Sequence, residues 1–187
     1  MESKDDVLLE SEDKMSKCIT FLHQEFAGVR TGKASPSLVE NITVPYYGAP
    51  TRLRELANIA TPEPRLLVIN PYDPTSLAAI EKAILAANIG LTPMNDGRVI
   101  RIPIPELSGE RRTEMAKVVK RMAEEARVAI RNVRREGNDA IKELQKAHKI
   151  TEDEKDEGLK ECQKTTDDYI KQVDDSMAAK EKEIMAV

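Results

Sequence analysis

Apolar side chains recur along this chain in three long stripes at helical spacing, interrupted by one stretch of different texture. In the first thirty residues Met15, Ile19, Leu22, Phe26 and Val29 step by four and three without any proline, and Ser3 followed by Asp5 and Asp6 supplies an N-cap and an acidic first turn. Over 108–149, again free of proline, Met115, Val119, Met122, Ala126, Ala129, Val133, Gly137, Ala140, Leu144 and Ala147 form a second stripe. It predicts one helix of about 40 residues, roughly 60 Å long at 1.5 Å per residue. The additional four-residue step at Gly137 is a stutter that locally relaxes supercoiling. Thr151 and Glu154 then form a capping box that opens a third helix, with Leu159, Cys162, Tyr169, Val173, Met177 and Ile184 on its apolar face.

All ten prolines fall between Lys33 and Pro105. In that block "LVENITVPYY", "RLLVINPY" and "RVIRIPIP" read as strands. Asp73 and Pro74 start a short helix carrying Leu77, Ile80 and Ile84 on one face, and Gly90 follows it. "YYGAP" and "MNDGR" are turn chemistry. A helix with a single apolar stripe cannot bury it alone, so the three long helices pack together and the middle block is an insertion between the first and second. The predicted fold class is therefore α+β. Residues 1–30 and 106–187 form an elongated three-helix bundle, and 31–105 form a small α+β domain joined to it by a two-stranded hinge.

Composition and charge refine this picture. Aromatic residues make up 3% of the 187 and tryptophan is absent, so the cores rest on aliphatic side chains. The net charge of −4 conceals an asymmetry: 108–150 carries a net +5 and 151–187 a net −6. Cys18 and Cys162 lie at periodic apolar positions, with no spacing suited to a metal, as expected of a reduced chain. The acidic start resembles neither a signal nor a transit peptide, and no apolar run reaches the roughly 18 residues of a membrane span. The expected setting is soluble and cytoplasmic, without membrane partners.

Two stretches and two histidines invite chemical readings. "GVRTGKASPS" resembles a phosphate loop, but only three residues separate Gly28 from Gly32, Ala34 stands where a hydroxyl is needed, and an extended run follows where a helix should open. It reads better as a junction where Gly32 ends the first helix with positive φ and Pro36 prevents its resumption. On the second helix Arg127, Arg131 and Arg134 fall within roughly 60° of one another, with Lys120 between and Arg112 beside them, about 120° or more from the stripe. Such an exposed rail ordinarily pairs with a neighbouring acidic helix. Its arginine content also suits bidentate phosphate contacts, and the lack of interleaved aromatics favours backbone recognition of folded RNA. His23 and His148 lie on helices without a partnering Ser or Cys, so no catalytic, cofactor or metal site is expected and the chain reads as non-enzymatic.

The whole chain resembles the ribosome recycling factor family. "VRTGKASPSLVENITVPYYGAPTRLRELANI", "INPYDPTSLAAIEKAI", "GLTPMNDGRVIRIPIPELSGERR" and "ARVAIRNVRREGND" are similar to its signatures. The resemblance implies an L-shaped, tRNA-like protein: a three-helix bundle and a small β/α/β domain joined by an elbow. It implies action on the post-termination 70S-type ribosome, whose subunits separate with elongation factor G and GTP, releasing mRNA and tRNA. By motif position it implies contacts to 23S rRNA through Arg131 and Arg134, with Arg127, Arg112 and Arg30 as further candidates. The hinge falls on Thr31, Gly32, Lys33, Pro103, Ile104 and Pro105. No cofactor or small-molecule substrate is implied, and the chain should be a monomer. "LSGERR" departs from the family's usual Thr-Glu or Thr-Asp, and Gly109 there should loosen the helix start. Another RNA-binding or scaffold bundle is the alternative reading.

Overall fold

Ser3 accepts a hydrogen bond from the Asp6 amide, while the Asp6 carboxylate accepts one from the Ser3 amide, and this capping box starts helix α1, Lys4–Ala27. The computed structural model describes residues 3–186. Two further long helices follow late in the chain: α4, Gly109–Lys146, with 38 residues, and α5, Glu152–Met185, with 34. At 1.5 Å per residue α4 is roughly 57 Å long. Between α1 and α4 come β1 (Thr43–Tyr46), β2 (Ala49–Arg52), α2 (Leu53–Leu56), β3 (Ala57–Glu63), β4 (Leu66–Pro71), α3 (Leu77–Ala86), β5 (Met94–Asn95) and β6 (Ile100–Pro103). These elements make two compact units. One comprises the chain through Val29 together with the chain from Arg112 onward, and the other is Arg30–Arg111.

The first unit is a three-helix bundle. Met15, Ile19, Leu22, Phe26 and Val29 are all buried, as the spacing predicts, against Val119, Ala123, Ala126 and Ile130 of α4 and Val173 and Ile184 of α5. The observed α4 stripe is Val119, Ala123, Ala126, Ile130, Gly137, Ile141 and Leu144. It is rotated from the predicted one: beside Val119, the fully buried members are Ala123, Ile130 and Ile141, none of which lies on the predicted stripe. Ile130 and Ile141 bury more apolar surface than Ala129 and Ala140 beside them, and they set which flank faces inward. Glycines bring the helices close. A Cβ on Gly137 would lie 2.6 Å from Ser11 Oγ and 3.3 Å from Cys162 Sγ, and one on Gly158 would lie 3.2 Å from Ile141 Cδ1. Buried Thr166 satisfies its hydroxyl by donating to the Cys162 carbonyl at 2.7 Å.

Helix ends follow local chemistry. Thr151 and Glu154 form the predicted capping box of α5, and Ser108 accepts from the Arg111 amide at 3.2 Å, so α4 keeps a side-chain cap beside Gly109. α1 stops at Ala27, capped by Gly28, rather than at Gly32. Gly32 does hold a positive φ of 80°, but four residues past that cap. α4 ends before His148, which is not helical. Its φ is +53°, its amide donates to the Gln145 carbonyl, and the Lys149 amide reaches back to Leu144 in a Schellman turn.

The second unit holds a four-stranded antiparallel sheet, ordered β3-β4-β6-β5, and a separate β1-β2 hairpin. The three strands and the helix read from the sequence are present. β2, α2, β3 and β5 are additions, so the sheet is richer than a β/α/β unit. β3 carries little apolar pattern because it is an edge strand, where Pro62 and exposed Glu63 are tolerated. Leu67, Ile69, Ile100 and Ile102 point into a core completed by Ile80 and Ile84 of α3. Asp73 joins α3 to the hairpin: its carboxylate accepts from the Thr75 amide at 2.9 Å, the Thr75 hydroxyl at 2.7 Å and the Tyr46 hydroxyl at 2.9 Å.

Candidate nucleic-acid interface

Arg127 and Arg134 of α4 do not lie on a free outer face. Ile130 is fully buried, and at about 100° per residue Arg127 and Arg134 fall within roughly 60° of it, so they flank the seam with α5. The predicted separation of 120° or more from the core is thus corrected by the rotation of the stripe. Arg127 is only 16% exposed. Its Nε and Nη2 donate to Asp174 Oδ1 at 2.8 and 2.6 Å, and its Nη1 donates to Glu124 Oε2 at 3.0 Å. Pairing with the acidic helix therefore describes Arg127 well. Arg134 donates from Nη1 to Gln163 Oε1 at 2.9 Å, and its Nε is buried without a protein partner.

Arg131 is more open than Arg127, with 41% of its side chain exposed, and among the described residues it is engaged, like Arg134, through Nη1 alone, by Glu124 Oε1 at 3.2 Å. Its Nε and Nη2 make no hydrogen bond or ion pair among the described residues, and together they form an edge of the fork suited to a phosphate. The Glu124 carboxyl is held below its ordinary value by the hydrogen bond from Arg127 and then by that from Arg131, so it is fully ionised at neutral pH. Lys120 approaches Glu181 of α5 at 3.8 Å. Arg112 is half-buried at the start of this row.

Arg30 sits in the other unit, where Nη2 donates to the Ile89 carbonyl and the guanidinium lies against Gly90. The junction residues are tied down in that same unit. The Ala34 amide donates to Pro64 at 2.7 Å and the Ile104 amide to Arg65 at 2.9 Å, so both crossings are pinned to the turn between β3 and β4. Gly32 faces Leu107, and a Cβ there would lie 3.7 Å from Leu107 Cγ. Pro103 closes β6 opposite Leu66, Thr31 is half-buried, and Lys33 and Pro105 are exposed. Ile104 is a core residue, 9% exposed. The stretch 28–37 follows a helix and leads into a single turn, Pro36–Leu38, without the strand-to-helix frame of a phosphate loop.

A family model described as ribosome recycling factor matches residues 22–185. The chain belongs to the ribosome recycling factor family. It is 53% identical over 182 residues to the ribosome-recycling factor of Carboxydothermus hydrogenoformans, covering 97% of this chain and 98% of that protein. With the Bacillus thuringiensis ribosome-recycling factor it shares 55% identity over 181 residues, 97% and 98% of the two chains. A solution structure of ribosome recycling factor superposes with a TM-score of 0.79 at 42% identity, covering all of both chains. A second structure describes the T. thermophilus ribosome recycling factor and the E. coli elongation factor G bound to the E. coli post-termination complex. It matches with a TM-score of 0.68 at 41% identity, over 98% of this chain and 100% of that one. Ribosome recycling factors are translation factors rather than enzymes.

Within this family member, His23 has a partner that spacing did not reveal. Its Nε2 lies 2.9 Å from Ser176 Oγ across α1 and α5. Among the described residues no carboxylate is hydrogen-bonded to the ring, so the pair ties two helices together rather than forming a nucleophile and base. Glu124 and Asp174 are further partners of the arginines, beyond what the stripe pattern shows. Glu124 was legible in principle from its i, i+3 spacing to Arg127. Asp174, on another helix, was not. Among the described residues, no group of three or more His, Cys, Asp or Glu is arranged to hold a metal, and no helix is long and apolar enough to cross a membrane.

Proposed function

We propose that this chain recycles ribosomes. It binds the post-termination ribosome in the cytoplasm and, with elongation factor G hydrolysing GTP, separates the subunits and releases mRNA and tRNA. The observation that carries the reading is near full-length similarity to ribosome recycling factors, including one bound with elongation factor G to a post-termination complex. In this reading the bundle is the anchor. Arg131 grips 23S rRNA phosphate through its unoccupied edge, Arg134 and Arg112 contribute nearby, and Arg127 holds the seam.

The hinge follows from the same geometry. Bending is confined to the backbone outside the pins at Ala34 and Ile104, because bending at those residues would break their hydrogen bonds to the β3–β4 turn. Residues 30–33 and 105–108 then carry the motion, with Thr31, Gly32, Lys33 and Pro105 inside it and Pro103 and Ile104 as its fixed base. The chain works as a monomer, since its apolar stripes are spent within one bundle.

The test is subunit splitting on post-termination ribosomes with elongation factor G and GTP. Added chain should accelerate splitting well above the GTPase alone, and equal rates would overturn the assignment.

A further inference from the structure

The fork of Arg131 is held at one nitrogen only, by a carboxylate that is itself held from behind. Asp174 on α5 takes Nε and Nη2 of Arg127, Arg127 gives its remaining nitrogen to one oxygen of Glu124, and the other oxygen of Glu124 takes Nη1 of Arg131. Each link uses a different atom, so the four side chains form a relay from the α4–α5 seam to the exposed edge of Arg131. We propose that Glu124 is a positioning residue for RNA binding, holding Arg131 so that its Nε and Nη2 face outward as a preformed bidentate donor. This rests on the reading that Arg131 contacts ribosomal RNA phosphate.

The opposite role for Glu124 is electrostatic: a carboxylate near a phosphate repels it. Two features make that the smaller effect. Both oxygens of Glu124 are already paired with guanidinium groups, and its side chain is 54% exposed, so its field is screened by solvent and salt. The orientation of a long side chain is not screened. An arginine free to sample its rotamers must be ordered on binding, and that ordering costs affinity by about threefold to tenfold per side chain. A guanidinium pinned at one end has met most of this cost in the free protein.

Binding of the full-length chain to vacant bacterial 70S ribosomes tests the relay. Glu124→Ala, at an exposed helical position where alanine is well tolerated, should fold normally and bind about threefold to tenfold more weakly. Glu124→Gln, whose amide oxygen still accepts from Arg131, should keep most of the affinity. In an Arg131→Ala background, Glu124→Ala should have no further effect. Tighter or unchanged binding by Glu124→Ala, or a loss that persists fully without Arg131, overturns the role of Glu124. If Arg131→Ala weakens binding while Glu124→Ala does not, only the positioning role falls. If Arg131→Ala itself has no effect, the phosphate contact and the positioning role fall together.

Discussion

Gly137 of α4 and Ser11 of α1 meet so closely that a Cβ on the glycine would stand 2.6 Å from Ser11 Oγ. Cys162 of α5 lies on the same spot, 3.3 Å away, so the three helices converge at a position where only a hydrogen atom fits. The stutter read from the sequence coincides with this close approach. Gly137→Ala should gain about 1 kcal/mol of helix propensity and lose about 2 kcal/mol to overpacking, a net loss near 1 kcal/mol. Adding Ser11→Ala should restore most of it. Chemical denaturation of the two single variants and the double variant measures this coupling, and additive effects would show that the contact is not the cause.

His148 holds a left-handed conformation, φ +53°, to complete the Schellman turn after α4. Glycine adopts that conformation without steric cost. His148→Gly should therefore stabilise the protein by about 1 kcal/mol, read as a raised melting temperature with ribosome binding unchanged. A lowered melting temperature would mean that the imidazole makes a compensating contact.

Asp73 is held below the ordinary aspartate value of 3.8, first by the Thr75 hydroxyl, then by the Thr75 amide and the Tyr46 hydroxyl. A depressed folded-state value means that the unfolded chain takes up the proton first as pH falls. The contribution of Asp73 is thus complete above about pH 5 and is lost as the pH drops through 3.8 toward the folded-state value. Asp73→Asn should flatten the acid limb of the stability profile of Arg30–Arg111. Hydrogen exchange resolved to that unit checks it, and an unaltered acid limb counts against the argument.

Arg131 and Arg134 together should account for part of the salt dependence of ribosome binding. Replacing both with alanine should weaken binding and reduce the slope of log affinity against log salt by about 1 to 2. Arg127→Ala should act differently, lowering bundle stability through Asp174 and Glu124, which lose their shared partner. Titrations at several salt concentrations, paired with thermal melts, separate the two effects.

Much of this fold is local and was legible as such. The three long helices, the N-cap at Ser3, the capping box at Thr151, the turn glycines Gly48 and Gly97 and the α1 core from Met15 to Val29 follow from spacing and cap chemistry within a few residues. So does the exclusion of a phosphate loop at 28–37. The family signatures likewise lie in contiguous strings. What the chain alone left open is pairwise and distant. Ala129 and Ile130 both suit a helical stripe, and only packing against α1 and α5 selects Ile130, because its larger side chain gains more by burial. That rotation of one helix face turns Arg127 from an outward charge into a seam residue bound to Asp174, 47 positions away, and leaves Arg131 41% exposed with only Nη1 engaged among the described residues. β3, a weakly patterned edge strand, likewise exists because β4 offers it a ladder of backbone partners. Periodicity reports which residues share a face, while the free energy of the assembled helices and strands decides where that face points.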